Sequence, residues 1–386
     1  MEMLRDIFDN VIGGYGVAGL ALTAIVILLF IVQTVQWARF LLIARFKQTS
    51  RPQVREEQPA VSVVVPLFGE DEEYLKGNLR MLLSQSCKNY EVVVVYVGKE
   101  DSFYATLKHM RNFFTHLKTT QIDYSPQYPV TMRLALNIGI KSATHECIVV
   151  TTPETSVATT QWVDYMSHGF MYGDIVLGYS NWAQSAGAKN LFYRKYRFSE
   201  VRTYLAEAIR GRQYGASRNC MGFTKSLYFS VRGFAHLDLT AGEDDLFIQT
   251  IATKSNVSVL LAPAAHCAER QPISFREWLL DVYRLGQTRK FYNITAKNAE
   301  SCELICRVSL FVAAIGAMVV LPLELKAFAA LLLLARYILV GVVNLKTATR
   351  VGEKGIASFE PLFDFFEPWV RLVVRGTQPK RVYRWR

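Results

Sequence analysis

"VSVVVPLFGEDEEYLKGNLRMLLSQSCKNYEVVVVYVGKED", residues Val61–Asp101, decides how this chain must fold. Val61–Val65 and Glu91–Val97 are continuous β-branched runs, not alternating ones. A strand with one wet face alternates polar and apolar residues. A run that is apolar at nearly every position is a strand covered on both faces. Between the two runs, Leu75, Leu79, Leu82 and Leu83 recur at helical spacing and predict a helix over Glu72–Gln85. Strand, helix and strand in this order make a β-α-β unit, which implies a parallel sheet.

The alternation continues downstream. Thr131–Ala143 reads as a helix feeding a strand at Cys147–Thr151, Ile175–Ser180 is a further strand, and Leu191–Arg210 is a long amphipathic stretch. A Gly-containing turn and "NCMGFTK" (Asn219–Lys225) follow. Ligands of open α/β sheets bind beyond the carboxyl ends of the strands. "PLFGED", "GKED" and "TPET" each follow a strand, so Glu70, Asp71, Glu100, Asp101 and Glu154 are expected around one crevice.

At 386 residues the chain has room for two or three units, and about half of it is apolar. The apolar residues are unevenly spread. Val17–Ala38 carries no charge and exceeds the roughly 20 residues a membrane-spanning helix needs. Leu304–Leu323 and Ala327–Leu345 are two further candidate spans, interrupted by Arg307 and Arg336 and joined by a turn at Glu324–Lys326. The first span is too long for a signal-peptide core and lacks a small-residue cleavage site, so it reads as a signal anchor. Arg39, Arg45, Lys47, Arg51 and Arg55 follow it, and Arg371, Arg375, Lys380, Arg381, Arg384 and Arg386 close the chain. Positive flanks stay in the cytoplasm. Three spans then put the N-terminus outside and both the middle region and the C-terminus inside.

The net charge of +11 is concentrated beside these spans. It implies phospholipid headgroups as a partner and no nucleic acid. Six scattered cysteines without a C-x-x-C pair fit a reduced compartment, with Cys302 and Cys306 on one helical face as packing residues. The formal glycosylation triplet at Asn293 is discarded, because it falls on the cytoplasmic side.

With these segments in order, Val61–Tyr292 resembles a membrane-anchored bacterial family-2 glycosyltransferase of the GT-A fold. The resemblance rests on Val61–Asp101, on "LALNIGIKSATHECIVVTT", on "GASRNCMGFTKSLYFSVRGFAHLDLTAGEDDLFIQTIATK" and on the closing Arg-x-x-Arg-Trp-Arg. It implies a nucleotide-diphospho-sugar transferase-like α/β domain, with a mostly parallel sheet and helices on both faces, plus three transmembrane helices, one N-terminal and two C-terminal. The implied layout is a signal anchor with flanks (1–47), a linker (48–59), a cytoplasmic GT-A domain (60–273), an amphipathic interface helix (274–300), two spans (301–346) and a basic cytoplasmic tail (347–386).

The same resemblance implies site residues. Sugar transfer develops negative charge on a diphosphate leaving group, which a metal on carboxylates or a set of cationic side chains must neutralise. In an inverting enzyme a carboxylate also takes the acceptor's proton. The Glu-Asp-Asp motif at Glu243, Asp244 and Asp245 is intact, with Asp244 as base and Asp245 as runner-up. Pro66, Glu70, Asp101, Glu154 and Arg284 are implied on the donor side, and Arg218 and Asn219 on the acceptor side. Several family positions are altered. Val97 stands where a base-binding Asp is usual, and Thr152-Pro153-Glu154 replaces the metal-binding Asp-x-Asp. Only Arg284 is kept of the motif that falls on Asp281–Leu285. A divalent cation, Mg2+ or Mn2+, would therefore have Glu154 as its ligand and be weakly held or absent.

Plainer readings stand beside these. Asp244 and Asp245 also suit a helix N-terminus, Glu154 a loop, and Asp101, Arg218 and Asn219 turns. Arg284, Arg289 and Lys290 also suit a headgroup-facing helix surface. Two functions follow: a glycosyltransferase of the cytoplasmic membrane acting on a lipid-linked or polysaccharide acceptor, as in cell-envelope polysaccharide biosynthesis, or a lapsed transferase that serves as a partner for another.

Overall fold

The computed structural model of the chain describes residues 2–50, 52–124, 127, 130–236, 242–270 and 274–377. Arg51 and the basic stretch Lys380–Arg386, both used above for orientation, lie outside them. The chain enters through α1 (Glu2–Ala38), kinked at Gly16, whose φ of 71° favours a residue without Cβ. A short α2 (Leu41–Arg45) leads to β1 (Val61–Phe68). The helix expected over Glu72–Gln85 is two short ones, α3 (Glu72–Lys76) and α4 (Asn78–Leu83), broken at Gly77. β2 (Tyr90–Val97) completes the unit.

Then come α5 (Ser102–Met110), β3 (Leu117–Ile122), α6 (Met132–Ser142), β4 (Cys147–Val150), β5 (Thr155–Val157) and α7 (Trp162–Gly169). The run expected as one strand at Ile175–Ser180 divides into β6 (Ile175–Gly178) and β7 (Ser180–Trp182). These are followed by α8 (Ala188–Ile209), β8 (Met221–Thr224), α9 (Lys225–Ser230), α10 (Asp245–Ile251), β9 (Val257–Leu260) and β10 (Cys267–Glu269).

The main sheet has the order β3-β2-β1-β4-β8-β6-β9. Its pairings are parallel except at β8, which runs antiparallel to both β4 and β6. The continuous apolar runs explain themselves here. Val61, Val63 and Val65 pack into one core layer with Val92 and Val94, while Val64, Val93 and Val95 pack into the other. Fully burying each such side chain contributes about 1.5–3 kcal/mol. Gly139 on α6 lets that helix settle on the sheet, since a Cβ there would come within 2.5 Å of Val64 Cγ1. A small second sheet, β5-β10-β7, sits against the loop after β4. Pro66, expected just past the strand, is buried within β1 opposite Val95. It lies beyond Val64, the last residue of β1 paired with β4, so a missing N–H is tolerated there.

The rest of the chain is helical: α11 (Phe275–Thr288), α12 (Ile294–Val320), α13 (Leu323–Arg350) and α14 (Glu360–Thr377). Gly16–Arg45, Ile294–Val320 and Leu323–Arg350 are each long and apolar enough to cross a membrane. The break between the last two falls at Leu321–Pro322, and Glu324–Lys326, expected as the turn, is already helical. The interface helix expected to reach residue 300 ends at Thr288, because Asn293 caps a new helix by accepting Ala296 N–H at 2.8 Å. Val26, Leu310, Ala317, Leu321 and Ala329 bind the three helices together, while Val17, Leu28, Val312, Val319, Leu331 and Ile338 stay exposed. An outward apolar surface of this extent fits a lipid environment.

α14, read from the sequence only as tail, is inverted relative to a soluble helix. Glu360, Asp364, Glu367 and Arg371 are buried, while Leu362, Phe365, Phe366, Trp369 and Val373 are exposed. Its buried acids meet basic residues of the spans. Asp364 takes both Nη atoms of Arg336, at 2.5 and 3.1 Å, and Arg307 Nη1 at 3.1 Å, while Glu367 pairs with Arg307 at 3.0 Å. Gln33 of α1 adds an acceptor to Arg336 at 3.1 Å. Removing one partner of a buried ion pair costs about 3–5 kcal/mol, because the other charge is stranded. Asp364→Ala is therefore expected to lower the unfolding free energy of the detergent-solubilised chain by about that amount. Thermal unfolding within experimental error of the wild type would show that α14 is not held by this pair.

Candidate active site

Segments distant in the chain assemble beside the end of β4. Thr152, in the loop after that strand, is buried. Its Oγ1 lies 2.9 Å from Thr155 Oγ1 and donates to Asn219 Oδ1 at 3.1 Å. That bond fastens the loop to the turn preceding β8. The adjacent Arg218 pairs with Glu243 Oε1 at 3.2 Å. Glu243 is 1% exposed, and among the described residues its Oε2 has no hydrogen-bond partner. Burial, with Asp244 alongside, pushes the Glu243 carboxyl up, and Arg218 pulls the other way.

Glu243, Asp244 and Asp245 open α10, and the three carboxyls differ in surroundings. Asp245 is buried and fully engaged. Its Oδ1 accepts Leu246 N–H at 2.7 Å, and its Oδ2 accepts the hydroxyls of Tyr292, at 2.6 Å, and Thr288. Burial and the Asp244 charge nevertheless push its carboxyl up to about 8. Asp244 is half-buried and accepts Asp245 N–H on Oδ1 at 2.8 Å. Among the described residues Oδ2 of Asp244 accepts no hydrogen bond. Sequence reasoning ranked Asp244 ahead of Asp245; in the fold the two differ in burial and in hydrogen bonding.

α11 supplies the opposite wall. Arg218, Gly242, Glu243, Asp244, Asp245, Arg284, Leu285 and Thr288 line one crevice. A second crevice on the other side of Asp244 is lined by Arg197, Glu200, Tyr204 and Arg289. Burial, then Arg218, pull the Arg284 guanidinium down to about 10, which leaves it charged at neutral pH. Asp281, one helical turn away, is pushed up by burial and drawn back by Arg284. A carboxylate with one oxygen that accepts no hydrogen bond among the described residues and two guanidinium groups form a place where an anion can bind and a proton be accepted.

The structure thus brings Glu243, Asp244, Asp245, Arg218 and Arg284 into one crevice, with Asn219 tied to the loop carrying Glu154. Three of the five rim acids are engaged in local contacts. Asp71 caps α3, Asp101 caps α5 by accepting Tyr104 N–H at 2.9 Å and also accepts the Tyr96 hydroxyl at 2.9 Å, and Glu100 pairs with Lys108 at 2.5 Å. Glu70 and Glu154 are exposed. Residues the sequence did not single out include Thr288 and Tyr292, which anchor Asp245; only their tertiary placement marks them.

Among the described residues no three His, Cys, Asp or Glu side chains come together in a way that could hold a metal ion. Hard divalent cations take six or more oxygens. Glu154 offers one exposed carboxylate, and Thr152 Oγ1 is committed to Thr155 and Asn219, so a Mg2+ or Mn2+ held here would take most of its oxygens from donor phosphates and water.

No family model matches the sequence, and no curated protein matches it. Solved structures do match. The fold is similar to that of the mannosyltransferase PcManGT from Pyrobaculum calidifontis, solved with GDP-Man and Mn2+. Identity is 17%, coverage is 89% of this chain and 99% of that one, and the TM-score is 0.56. S. aureus TarS 1–349 with UDP-GlcNAc matches at 16% identity over 83% of this chain and 93% of that one, with a TM-score of 0.43. GalNAc-T7 with UDP, GalNAc and Mn2+ matches at 11% over 57% and 45%, with a TM-score of 0.42. The chain has a GT-A-like α/β fold with three candidate membrane helices.

Asp245 makes stability depend on pH in a defined direction. Below its ordinary value of 3.8 it is protonated in both folded and unfolded chains; between there and about 8 only the unfolded chain ionises. Stability is therefore lost as pH rises across that window. Asp245→Asn is expected to flatten this decline, measured as the difference in thermal midpoint between about pH 5 and about pH 7.5. An unchanged pH profile would remove Asp245 as its source.

Proposed function

We propose that this chain transfers a sugar from a nucleotide-sugar donor to a lipid-linked or polysaccharide acceptor, with its α/β domain on the cytoplasmic face of the cytoplasmic membrane. The observation that carries this reading is Asp244, a half-buried carboxylate with one oxygen that accepts no hydrogen bond among the described residues, set between two carboxyls that are themselves buried. The likeness to a mannosyltransferase solved with GDP-Man supports a nucleotide-sugar donor.

In this reading the donor lies beyond the carboxyl ends of β1, β2 and β4, with Glu70 and Glu154 on its side of the rim. Pro66 and Asp101 shape that rim from within β1 and from the cap of α5. The acceptor approaches past Arg218 and Asn219. Asp244 takes the proton of the acceptor hydroxyl as its oxygen attacks the anomeric carbon. The bond from that carbon to the diphosphate oxygen breaks, the electron pair leaves with the nucleoside diphosphate, and the sugar configuration inverts. Arg284 meets the developing charge on the diphosphate, which needs no carboxylate-bound cation. Burial pushes the flanking Glu243 and Asp245 carboxyls up, toward their protonated forms. α1, α12 and α13 cross the bilayer, and α14 packs against α12 and α13 with Phe365, Phe366 and Trp369 toward lipid.

The second reading, a lapsed transferase acting as a partner, is favoured by Thr152, which stands in the family's carboxylate position and is tied into the protein. Calorimetric titration of nucleotide sugars into the detergent-purified chain, with and without Mn2+, separates the two. Donor binding that survives without metal is expected; no binding of any donor would sink the transferase reading.

Asp244→Asn should cut turnover by about 10²–10⁴-fold, the range of a general base, while leaving donor affinity within about twofold. Loss of affinity instead would count against a proton-accepting role. Arg284→Ala should do the reverse first, weakening donor binding by roughly tenfold or more, as loss of a charge-assisted hydrogen bond does. An unaltered donor affinity in that variant would place the diphosphate elsewhere.

A further inference from the structure

A cavity of about 760 Å³ stands apart from the Asp244 crevices. Its wall comes from the end of α1 (Gln36, Arg39), the end of α8 and the turn after it (Glu207, Arg210, Arg212, Gln213), the far end of α10 (Gln249, Ala252, Lys254) and the start of α12 (Asn293, Asn298, Cys302). Asp244 is not among its lining residues. It sits at the other end of the seven-residue α10, a rise of about 10 Å.

The cavity has three properties that together point to one kind of ligand. It is basic: among its described lining residues, Arg39, Arg210, Arg212 and Lys254 stand against one acid, Glu207. Glu207 is already shared, pairing with Arg39 at 3.3 Å and Arg210 at 3.0 Å, so positive charge remains in excess. It also holds an unmet acceptor. Gln213 is 8% exposed and donates through Nε2 to Thr253 O at 2.6 Å, while its Oε1 is buried without a hydrogen-bond partner among the described residues. Such an atom is costly to leave unsatisfied and would accept a hydroxyl. Lastly, the cavity sits where two candidate spans meet the α/β domain. Gln36 Nε2 contacts Cys302 Sγ at 3.1 Å across it, and the apolar runs of α1 and α12 lead away from this level.

We propose that this cavity binds the headgroup of an anionic phospholipid, its phosphate among Arg39, Arg210, Arg212 and Lys254 and a headgroup hydroxyl on Gln213 Oε1. A phosphatidylglycerol-type lipid has both groups at the right depth, with its acyl chains running down the exposed apolar sides of α1 and α12. This ligand is neither donor nor acceptor. The cavity is nevertheless joined to the base: Asn293 N–H donates to Gln249 Oε1 at 3.0 Å, and the preceding Tyr292 holds Asp245. A headgroup here would brace the segment that positions α10.

The test uses the full chain in detergent, without sugar donor or acceptor, so its outcome is independent of the transferase reading. The protein is incubated with mixed micelles of phosphatidylglycerol and phosphatidylcholine in equal amounts, washed, and the retained lipid is quantified by mass spectrometry. Wild type is expected to keep phosphatidylglycerol stoichiometrically and phosphatidylcholine far less. The triple charge reversal Arg210→Glu, Arg212→Glu, Lys254→Glu should weaken retention by roughly a hundredfold, since each basic residue at an anionic surface contributes several-fold. The charge-keeping pair Arg210→Lys, Arg212→Lys should retain the lipid and controls for misfolding. Equal retention of the two lipids, or unchanged retention in the triple variant, would overturn the proposal. Displacement by glycerol 1-phosphate at concentrations matching the lipid would also overturn it, making this a site for a soluble phosphoester instead.

Discussion

Arg336 lies in the middle of an apolar helix with no solvent exposure, and such a charge is tolerated only if another part of the chain neutralises it. Asp364 does so with a two-pronged contact and also takes Arg307. This constraint brings α14 against α12 and α13. The same helix face continues to Glu360, which pairs with Lys195 of α8, and Lys195 and Arg202 both reach Asn344 of α13. One buried polar network therefore links spans, tail helix and α/β domain. Arginine suits this position because its planar fork can satisfy a carboxylate and an amide together.

α8 transmits that anchoring to the candidate site. Its Lys195 and Arg202 face the helical bundle, while Arg197 and Glu200 line a crevice beside Asp244. Glu200 pairs with Arg289, three residues before Tyr292, whose hydroxyl holds Asp245. The end of α10 that carries Asp244 is thus fixed from the side of the long apolar helices as well as from the sheet. The base role proposed for Asp244 needs this kind of fixed placement, since misplacement by about 1 Å can cost about 10²-fold in rate.

Much of the fold was legible because its signals are local. Valine at successive positions has a single explanation, burial on both faces, and the two core layers on either side of β1 and β2 bear it out. The three candidate spans were legible from length and apolar content, although Arg307 and Arg336 interrupt two of them. The tail helix was not. The segment was read only as a basic tail. Pro361 falls in the first turn of α14, where a missing N–H costs nothing, and the acids of this helix form its buried face. The rim acids are a different case. Asp71 and Asp101 follow strands as expected, but each is consumed by capping the next helix, a use that spacing alone cannot distinguish from ligand binding.

The sequence by itself determined the alternation of strands and helices, the three long apolar helices and the Glu-Asp-Asp order at the head of α10. These follow from periodicity and from neighbours a few residues apart. Only the tertiary structure decided which carboxylate is free. Asp244 and Asp245 are adjacent and chemically identical, and the difference between them comes from Thr288 and Tyr292, more than forty residues on. Burial and hydrogen bonding set how tightly a carboxyl holds its proton, and both depend on what the fold packs around it.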